Sequence, residues 1–371
     1  MNSLLTALLA VLLPLSSAFA DTGPSPQPSS PVHEFSDEVE KDFNLRSIGQ
    51  LQLSNLRGNV TVVGWSQDKI RVHAHRRVYT ENKNQAIEAF AAMDFFYQES
   101  GMGIECSARY GRGLEINQRV QERGRPADFQ SKMDMTVYAP LKLKIKIWTN
   151  AGASSLKNWN NSAELRTVSG DIDVDTITGE KISSLCQNCS VKYHAIHGSI
   201  RAITDGGNIS ISDVEGPDVF IETGAGNVNA QKIRAEQLYV TRSGSLTARD
   251  LRGRVEFQTG QGAVDINGLR GFASGKTDSG FIHLRADEWE FHDKALIETG
   301  SGEIQLTLPA TFAAEVDLNS LHGKVDCAFA IHHGEQATES GHLTGRIGEQ
   351  TTDLLKVFSN SGDIKILRLA R

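Results

Sequence analysis

Nowhere does the 371-residue chain gather its positive charge: 38 Lys and Arg are spread among 45 Asp and Glu, for a net charge of −7. Without a basic block there is nothing to hold nucleic acid, and the mild acidic excess by itself points to no partner. After residue 20 no apolar run reaches the ~20 residues that a membrane-spanning helix needs. Proline is scarce, with 9 residues, and 22% of the chain is charged against 39% hydrophobic, a globular composition sufficient for one large or two moderate domains. Cysteine is scarcer, with 4, and none stands directly after residue 20, where a lipid anchor would need one.

The first twenty residues are apolar and end in Ala18-Phe19-Ala20, the small-residue pattern of a secretory leader cleaved after Ala20. No Lys or Arg precedes the run, so only the α-amino group supplies positive charge there. The Pro/Ser-rich stretch that follows predicts an extended spacer over 21–34.

What the chain has in quantity is glycine, with 34, and most of it keeps a beat. Thr stands three residues before Gly at Thr167/Gly170, Thr204/Gly207, Thr223/Gly226, Thr241/Gly244, Thr259/Gly262, Thr277/Gly280 and Thr299/Gly302. Thr149/Gly152, Ser320/Gly323, Thr338/Gly341 and Ser359/Gly362 extend the series, and Cys186/Cys189 fill the gap after 170. Successive intervals are 18, 19, 18, 19, 18, 18, 18, 22, 21, 18 and 21. A second ladder, Gly179, Gly198, Gly216, Ala235, Gly253 and Gly271, runs half a period later. After the first turn come alternating pairs such as Ile209/Ile211 and Val264/Ile266, the mark of strands with one buried face.

Units this small cannot bury their own apolar face, so neighbours must stack, like residue over like, at the ~4.8 Å strand spacing. Propeller blades need about twice the length. The expected fold is all-β: a two-faced parallel β-solenoid of about 18 residues per coil over 149–371. Glycine is expected at the corners for its access to positive φ, and threonine beside it for its β-branch and its hydroxyl.

Residues 35–148 differ. Alternating strands at 56–78 around a Gly-Asn turn, which could form a first coil, helical spacing over 81–93 with Asn82 as a cap, and a hairpin at 94–110 read as a cap over the apolar end of the stack.

The phrases "GNVTVVGW" and "KIRVHAHRRV", the lead-in "MTVYAPLKLKIKI", the repeated "TxSGxI" and the closing "SNSGDIKIL" resemble the DUF4097 family of exported, adhesin-like bacterial proteins, over about 45–371. The resemblance implies a right-handed β-solenoid, an envelope location and no established enzymatic activity; the family has no agreed catalytic residues to transfer. The cysteine pair and the His-containing segment 329–342 depart from its pattern.

Some side chains carry chemistry in their own right. "CQNC" (186–189) lies at a ladder position rather than before a helix, and residues i and i+3 of a turn come within disulfide reach. A local structural bridge between Cys186 and Cys189 is expected in preference to a redox site, and Ser190 stands where haem attachment would need His. Asp171, Asp173 and Asp175 share a strand face, but no calcium-binding phrase recurs coil after coil, so a solvated acidic face is expected. His332, His333 and His342, with His322, lack paired metal spacing, as do His73 and His75. The strings resembling phosphate loops lie among strands, not before helices. No catalytic residue, metal site or cofactor is expected.

The best binding surface in the sequence is Asp287, Glu288, Trp289, Glu290 and Phe291, aromatics among acids where the coil is long enough for an insertion. The function expected is that of an exported, non-enzymatic envelope protein, adhesin-like or a scaffold, contacting a cell-surface or envelope protein or a polysaccharide. A polysaccharide-active enzyme, which needs two carboxylates ~5 to 9.5 Å apart across a cleft, is the alternative; an envelope sensor is another.

Overall fold

The computed structural model describes residues 32–44, 49–100, 103–110, 130–290, 294–333, 336–337, 341–349 and 351–370. The expected leader and most of the expected spacer lie outside them. The spacer's last two residues, His33 and Glu34, already begin a strand, β1 (His33–Asn44).

Each middle coil is one long strand bent at a corner. In β13 (Ile209–Thr223), Ile209, Ile211 and Val214 point inward from a front sheet, and Val219, Ile221 and Thr223 point inward from a back sheet. Simple alternation would bury residue 213 instead of 214. Asp213 adopts φ +55°, faces outward, and passes the buried role to Val214. A left-handed residue recurs once per coil, at Asn158, Thr176, Ala195, Asp213, Lys232 and Asp250, all with φ between 53° and 57°, and then at Gly268. Side chains avoid that region at a cost of roughly 1–2 kcal/mol, so it is the stacking of corners on corners that imposes it.

β11 (Ile172–Asn188), β12 (Val191–Gly206), β13, β14 (Val228–Thr241), β15 (Leu246–Thr259) and β16 (Val264–Ser279) pair in parallel and in chain order. Ile172, Val191, Ile209, Val228, Leu246 and Val264 thereby form one buried column. Side-chain size is balanced along columns. Above Tyr239 and Phe257 of the back sheet comes Gly275, where an added Cβ would lie 2.6 Å from the Phe257 ring. The large polar side chains inside are satisfied there: Tyr193 Oη donates to Ser184 Oγ at 2.9 Å and Trp159 Nε1 to the Leu143 carbonyl at 2.8 Å.

The N-terminal end is interleaved with the stack. β2 (Gln50–Arg57) and β3 (Val60–Trp65) form a coil lying directly against β8 (Lys144–Ala151) and β9 (Ser154–Trp159). The boundary expected at 148/149 thus falls within β8, and the column of coils starts before it. Between these coils the chain makes β4 (Lys69–Thr80), α1 (Lys83–Ala92), β5 (Met93–Ser100), β6 (Gly103–Tyr110) and β7 (Gln130–Pro140). β6 and then antiparallel β5 extend the back sheet; β7, antiparallel β4 and antiparallel β1 extend the front. α1 starts where Asn82 Oδ1 accepts the Gln85 N–H at 3.0 Å, and it turns Ala86 and Ala89 inward. Acidic β1 is fastened to basic β4, with Asp42 taking Lys69 at 2.8 Å and Arg71 at 2.7 Å. Charge along an outermost strand also discourages pairing with another chain.

At the C-terminal end chain order and stacking order part company. β16 is followed by β17 (Ile282–Trp289) in front and β18 (Lys294–Ser301) behind, and β17 by β19 (Ile304–Leu308). The next coil is the last in sequence: β25 (Leu354–Ser359) pairs with β18, and β26 (Ile364–Arg368) with β19. Only beyond them stand β20 (Ala314–Ser320) and β21 (Val325–Cys327). β24 (His342–Ile347) closes the back sheet antiparallel to β20, and the two-residue strands β22 (Ile331–His332) and β23 (Gln336–Ala337) pair with it. The expected order Gly302, Gly323, Gly341, Gly362 is therefore corrected. An added Cβ on Gly362 would meet Gly302 O, one on Gly323 would meet Gly362 O, and Gly341 opens the antiparallel β24. The reason lies in the side chains. Leu355, Val357, Ile364 and Ile366 are at most 1% exposed and need a neighbour on both sides, whereas Val325 and Cys327 tolerate half-burial at an end.

Candidate functional site

The corners repeat the same chemistry. Thr223 Oγ1 accepts the N–H of Gly226 at 3.0 Å and donates to the carbonyl of Gly207, one coil earlier, at 3.1 Å. Ser359 and Gly362 repeat the pattern, at 2.8 Å within the corner and 3.3 Å to Gly302. The Thr-x-x-Gly phrase is thus a stitch within and between coils. Glycine's role there needs correction. Gly170, Gly207 and Gly302 do have φ of 124–146°, but Gly226, Gly244, Gly262 and Gly280 are not left-handed. What they share is proximity: an added Cβ at Gly244 would lie 1.8 Å from Gly226 O, and one at Gly262 would lie 1.9 Å from Gly244 O.

The residue after glycine forms a ladder that sequence reading missed. Asp171 Oδ1 accepts the Ser190 N–H at 3.0 Å, Asn208 Oδ1 that of Asn227 at 2.9 Å, and Asn227 Oδ1 that of Ser245 at 2.9 Å. Its signal was available, since Asp, Ser and Asn recur there at the same interval. Asp171 is committed to this role. Asp173 lies 3.9 Å from Lys157, and Asp175 accepts from Thr176, so the three carboxylates are not drawn together on one ligand.

Cys186 and Cys189 are joined by a disulfide, both buried. Cys186 pairs in register with Thr167 below and Thr204 above, and an added Cβ on Gly207 would lie 2.1 Å from Cys189 O. The bond thus takes the place of the threonine-to-glycine stitch in this coil. α1, the one helix among the described residues, is remote in sequence from it. Of the remaining cysteines, Cys106 is buried and its thiol is pushed up to about 12 by that burial; burial also raises Cys327.

Of the expected surface at 287–291, the described residues 287–290 are divided between the core and the outside. Trp289 is half-buried against the core, its ring edge-on to Phe312 at 6.0 Å. Asp287 lies 3.4 Å from Arg285, while Glu288 and Glu290 are exposed. Phe291 lies outside the described residues. His342 sits 3.2 Å from Asp317, which also takes Lys356 at 2.8 Å. Lys356, then His342, holds that carboxyl below its usual value. Among the described residues no group of three His, Cys, Asp or Glu has metal-holding geometry.

Several hollows open on the outer surface, among them the following two. The larger, about 550 Å³, runs across the back sheet, where Glu164 is met by Lys146 at 3.7 Å and Arg166 at 2.5 Å. The smaller, about 300 Å³, lies over the left-handed corner, lined by Arg234, Arg252 and Arg270 and by the acids Asp213, Glu215 and Asp250. The phenols of Tyr193 and Tyr239 are raised by burial inside the stack and line neither hollow.

Stacked coils, stitched corners and a filled interior define a parallel β-solenoid. The family model described as Toastrack DUF4097 matches residues 176–367, just over half of the 371, and the chain belongs to this family. No curated protein matches it. Solved structures similar to it include a candidate adhesin from Bacteroides fragilis, 12% identical, covering 89% of this chain and 97% of that one with a TM-score of 0.32. Another is a candidate adhesin from Parabacteroides merdae, at 11% identity, 90% and 96% coverage and a TM-score of 0.33. A candidate lipid-binding protein from Parabacteroides distasonis matches at 11% identity, 90% and 97% coverage and a TM-score of 0.30. No helix among the described residues is long and apolar enough to cross a membrane.

Proposed function

We propose that this chain is an exported, non-enzymatic, adhesin-like binding scaffold of the cell envelope. One observation carries the reading: outward-facing side chains stand in straight rows, coil upon coil in register, for example Asp173, Lys192, Ser210, Asn229, Thr247 and Asp265. Such rows repeat every ~4.8 Å along a rigid axis, which suits an extended polymer better than a small molecule. The leader-like first twenty residues and a disulfide, at home in an oxidising compartment, support export. Hydrolysis of a polysaccharide would call for a pair of carboxyl groups across a cleft; of the two acids lining the larger hollow, Glu164 is engaged by two cations, which leaves Glu180 without a second free carboxyl beside it. The test is to present the purified chain to glycan arrays and whole-envelope fractions. Saturable retention without release of shortened products is the expected result. Product release, or retention on no surface at all, would overturn it.

A further inference from the structure

From the smaller hollow we infer a binding site for an acidic polysaccharide, built on the row Arg234, Arg252 and Arg270; the inference rests on the scaffold reading above and deepens it. The three arginines stand on successive coils in direct register. At the ~4.8 Å strand spacing, the outer two are roughly 10 Å apart. Each follows the left-handed corner by two residues, after Lys232, Asp250 and Gly268, and each is preceded by a fully buried anchor, Ile233, Leu251 or Leu269. The row therefore projects from a rigid base, so little ordering is left for a ligand to impose.

All three are exposed, and none forms an ion pair or side-chain hydrogen bond with another described residue. That sets them apart from Arg71, Arg76, Arg77, Arg166 and Arg285, each of which faces a carboxylate. Like charges on adjacent strands repel, a standing cost for the free protein: of the acids lining the same hollow, Asp213 is taken by Lys232 at 3.2 Å, and Asp250 forms no ion pair with the row. An anion laid across it removes that cost, and a guanidinium fork grips a carboxylate or sulfate through two parallel hydrogen bonds.

The row has ends. Glu215 is in register next to Arg234, and Glu288 next to Arg270. A polymer charged at every unit would carry anions onto those glutamates. One acid for every two sugar rings places its charges on Arg234 and Arg270 and lets neutral rings pass the glutamates. This pattern favours an alternating acidic polysaccharide over nucleic acid, whose phosphates are continuous.

The experiment measures affinity of the full chain, at physiological salt, for a hyaluronan oligosaccharide, neutral dextran, a single-stranded oligothymidine and phosphatidylglycerol vesicles. Hyaluronan should bind best. Arg234→Gln/Arg252→Gln/Arg270→Gln should weaken it by one to two orders of magnitude, while a charge-matched control, Lys146→Gln/Arg166→Gln/Arg201→Gln, stays within about twofold. The row variant should melt no lower than the parent. Equal binding by the row variant, equal loss by the control, stronger binding of oligothymidine or vesicles, or a lowered melting temperature in the row variant would each overturn the site. If the parent ignores hyaluronan yet is retained on envelope material, the site fails and the scaffold stands; if it is retained on nothing, both fail.

Discussion

The six middle coils and the C-terminal end are made of the same corners, yet they are assembled by different rules. From β11 to β16, sequence neighbours are spatial neighbours, and each coil rests on the one synthesised before it. Past β19 the chain runs outward to build the terminal rung, then returns to insert β25 and β26 beneath it. A solenoid has no internal reason to stop, since every coil offers its edge to the next. Here the stop comes from a rung of short strands closed by antiparallel β24, locked on by the chain's own last coil. The lesson is that corner chemistry specifies a coil, whereas burial on both faces decides where the coil goes.

Removing residues 353–371 strikes hardest at this difference. In a stack laid down in order such a cut would shave off an end; here it empties an interior place lined by Leu355, Val357, Ile364 and Ile366. At roughly 1.5–3 kcal/mol for each buried aliphatic side chain, the loss should exceed 5 kcal/mol and free β20–β24 for hydrogen exchange. Slow exchange there after truncation would mean that the order of stacking is wrong.

Next in size, Gly244→Ala drives a methyl group into the Gly226 carbonyl and should cost more than 3 kcal/mol in urea unfolding, whereas at Gly49, with nothing within 4 Å, the same change should stay below about 0.5 kcal/mol. Equal midpoints for the two variants would remove close approach as the reason for glycine in the middle coils. Converting Cys186→Thr together with Cys189→Gly rebuilds the stitch used by neighbouring coils. Because the disulfide closes only a short loop, the change should be about 1–2 kcal/mol, read from thermal unfolding with and without reductant; complete unfolding would show that the bond is more than a substitute corner.

At the C-terminal end, Asp317 joins β20 to β24 and β25. Its folded pKa is depressed, so its stabilisation is present above the unfolded carboxylate value and fades as pH falls through the lower folded one. Exposure and screening hold it below about 1 kcal/mol, and Asp317→Asn should flatten the acid side of the stability curve by that amount. The smallest effect is a gain. Thr176→Gly relieves a β-branched residue at φ +57° and should add about 0.5 kcal/mol, a part of the left-handed cost being returned as glycine's chain entropy.

Much of the middle of the molecule was legible because its period is carried by residue types with few substitutes. The spacing of Thr and Gly marked the corners, and pairs such as Ile209/Ile211 marked the buried face. The left-handed corner was not legible, because Asn158, Thr176, Ala195, Asp213, Lys232 and Asp250 share no side-chain property; only their backbone is alike. The arginine row was legible but passed over: Arg234, Arg252 and Arg270 recur at the 18-residue interval, each directly before a member of the second ladder, Ala235, Gly253 or Gly271. Conversely, Asp287–Phe291 looked like a surface by composition, but Trp289 packs inward where the long coil leaves room beside Phe312.

By itself, then, the sequence determined the coil: its length, its corners and the face it buries, since these depend on local sterics and on the alternation of side chains along a strand. Only the tertiary structure decided the order in which coils meet at the two ends, a long-range matter settled by which apolar edges remain uncovered when the middle of the stack is complete.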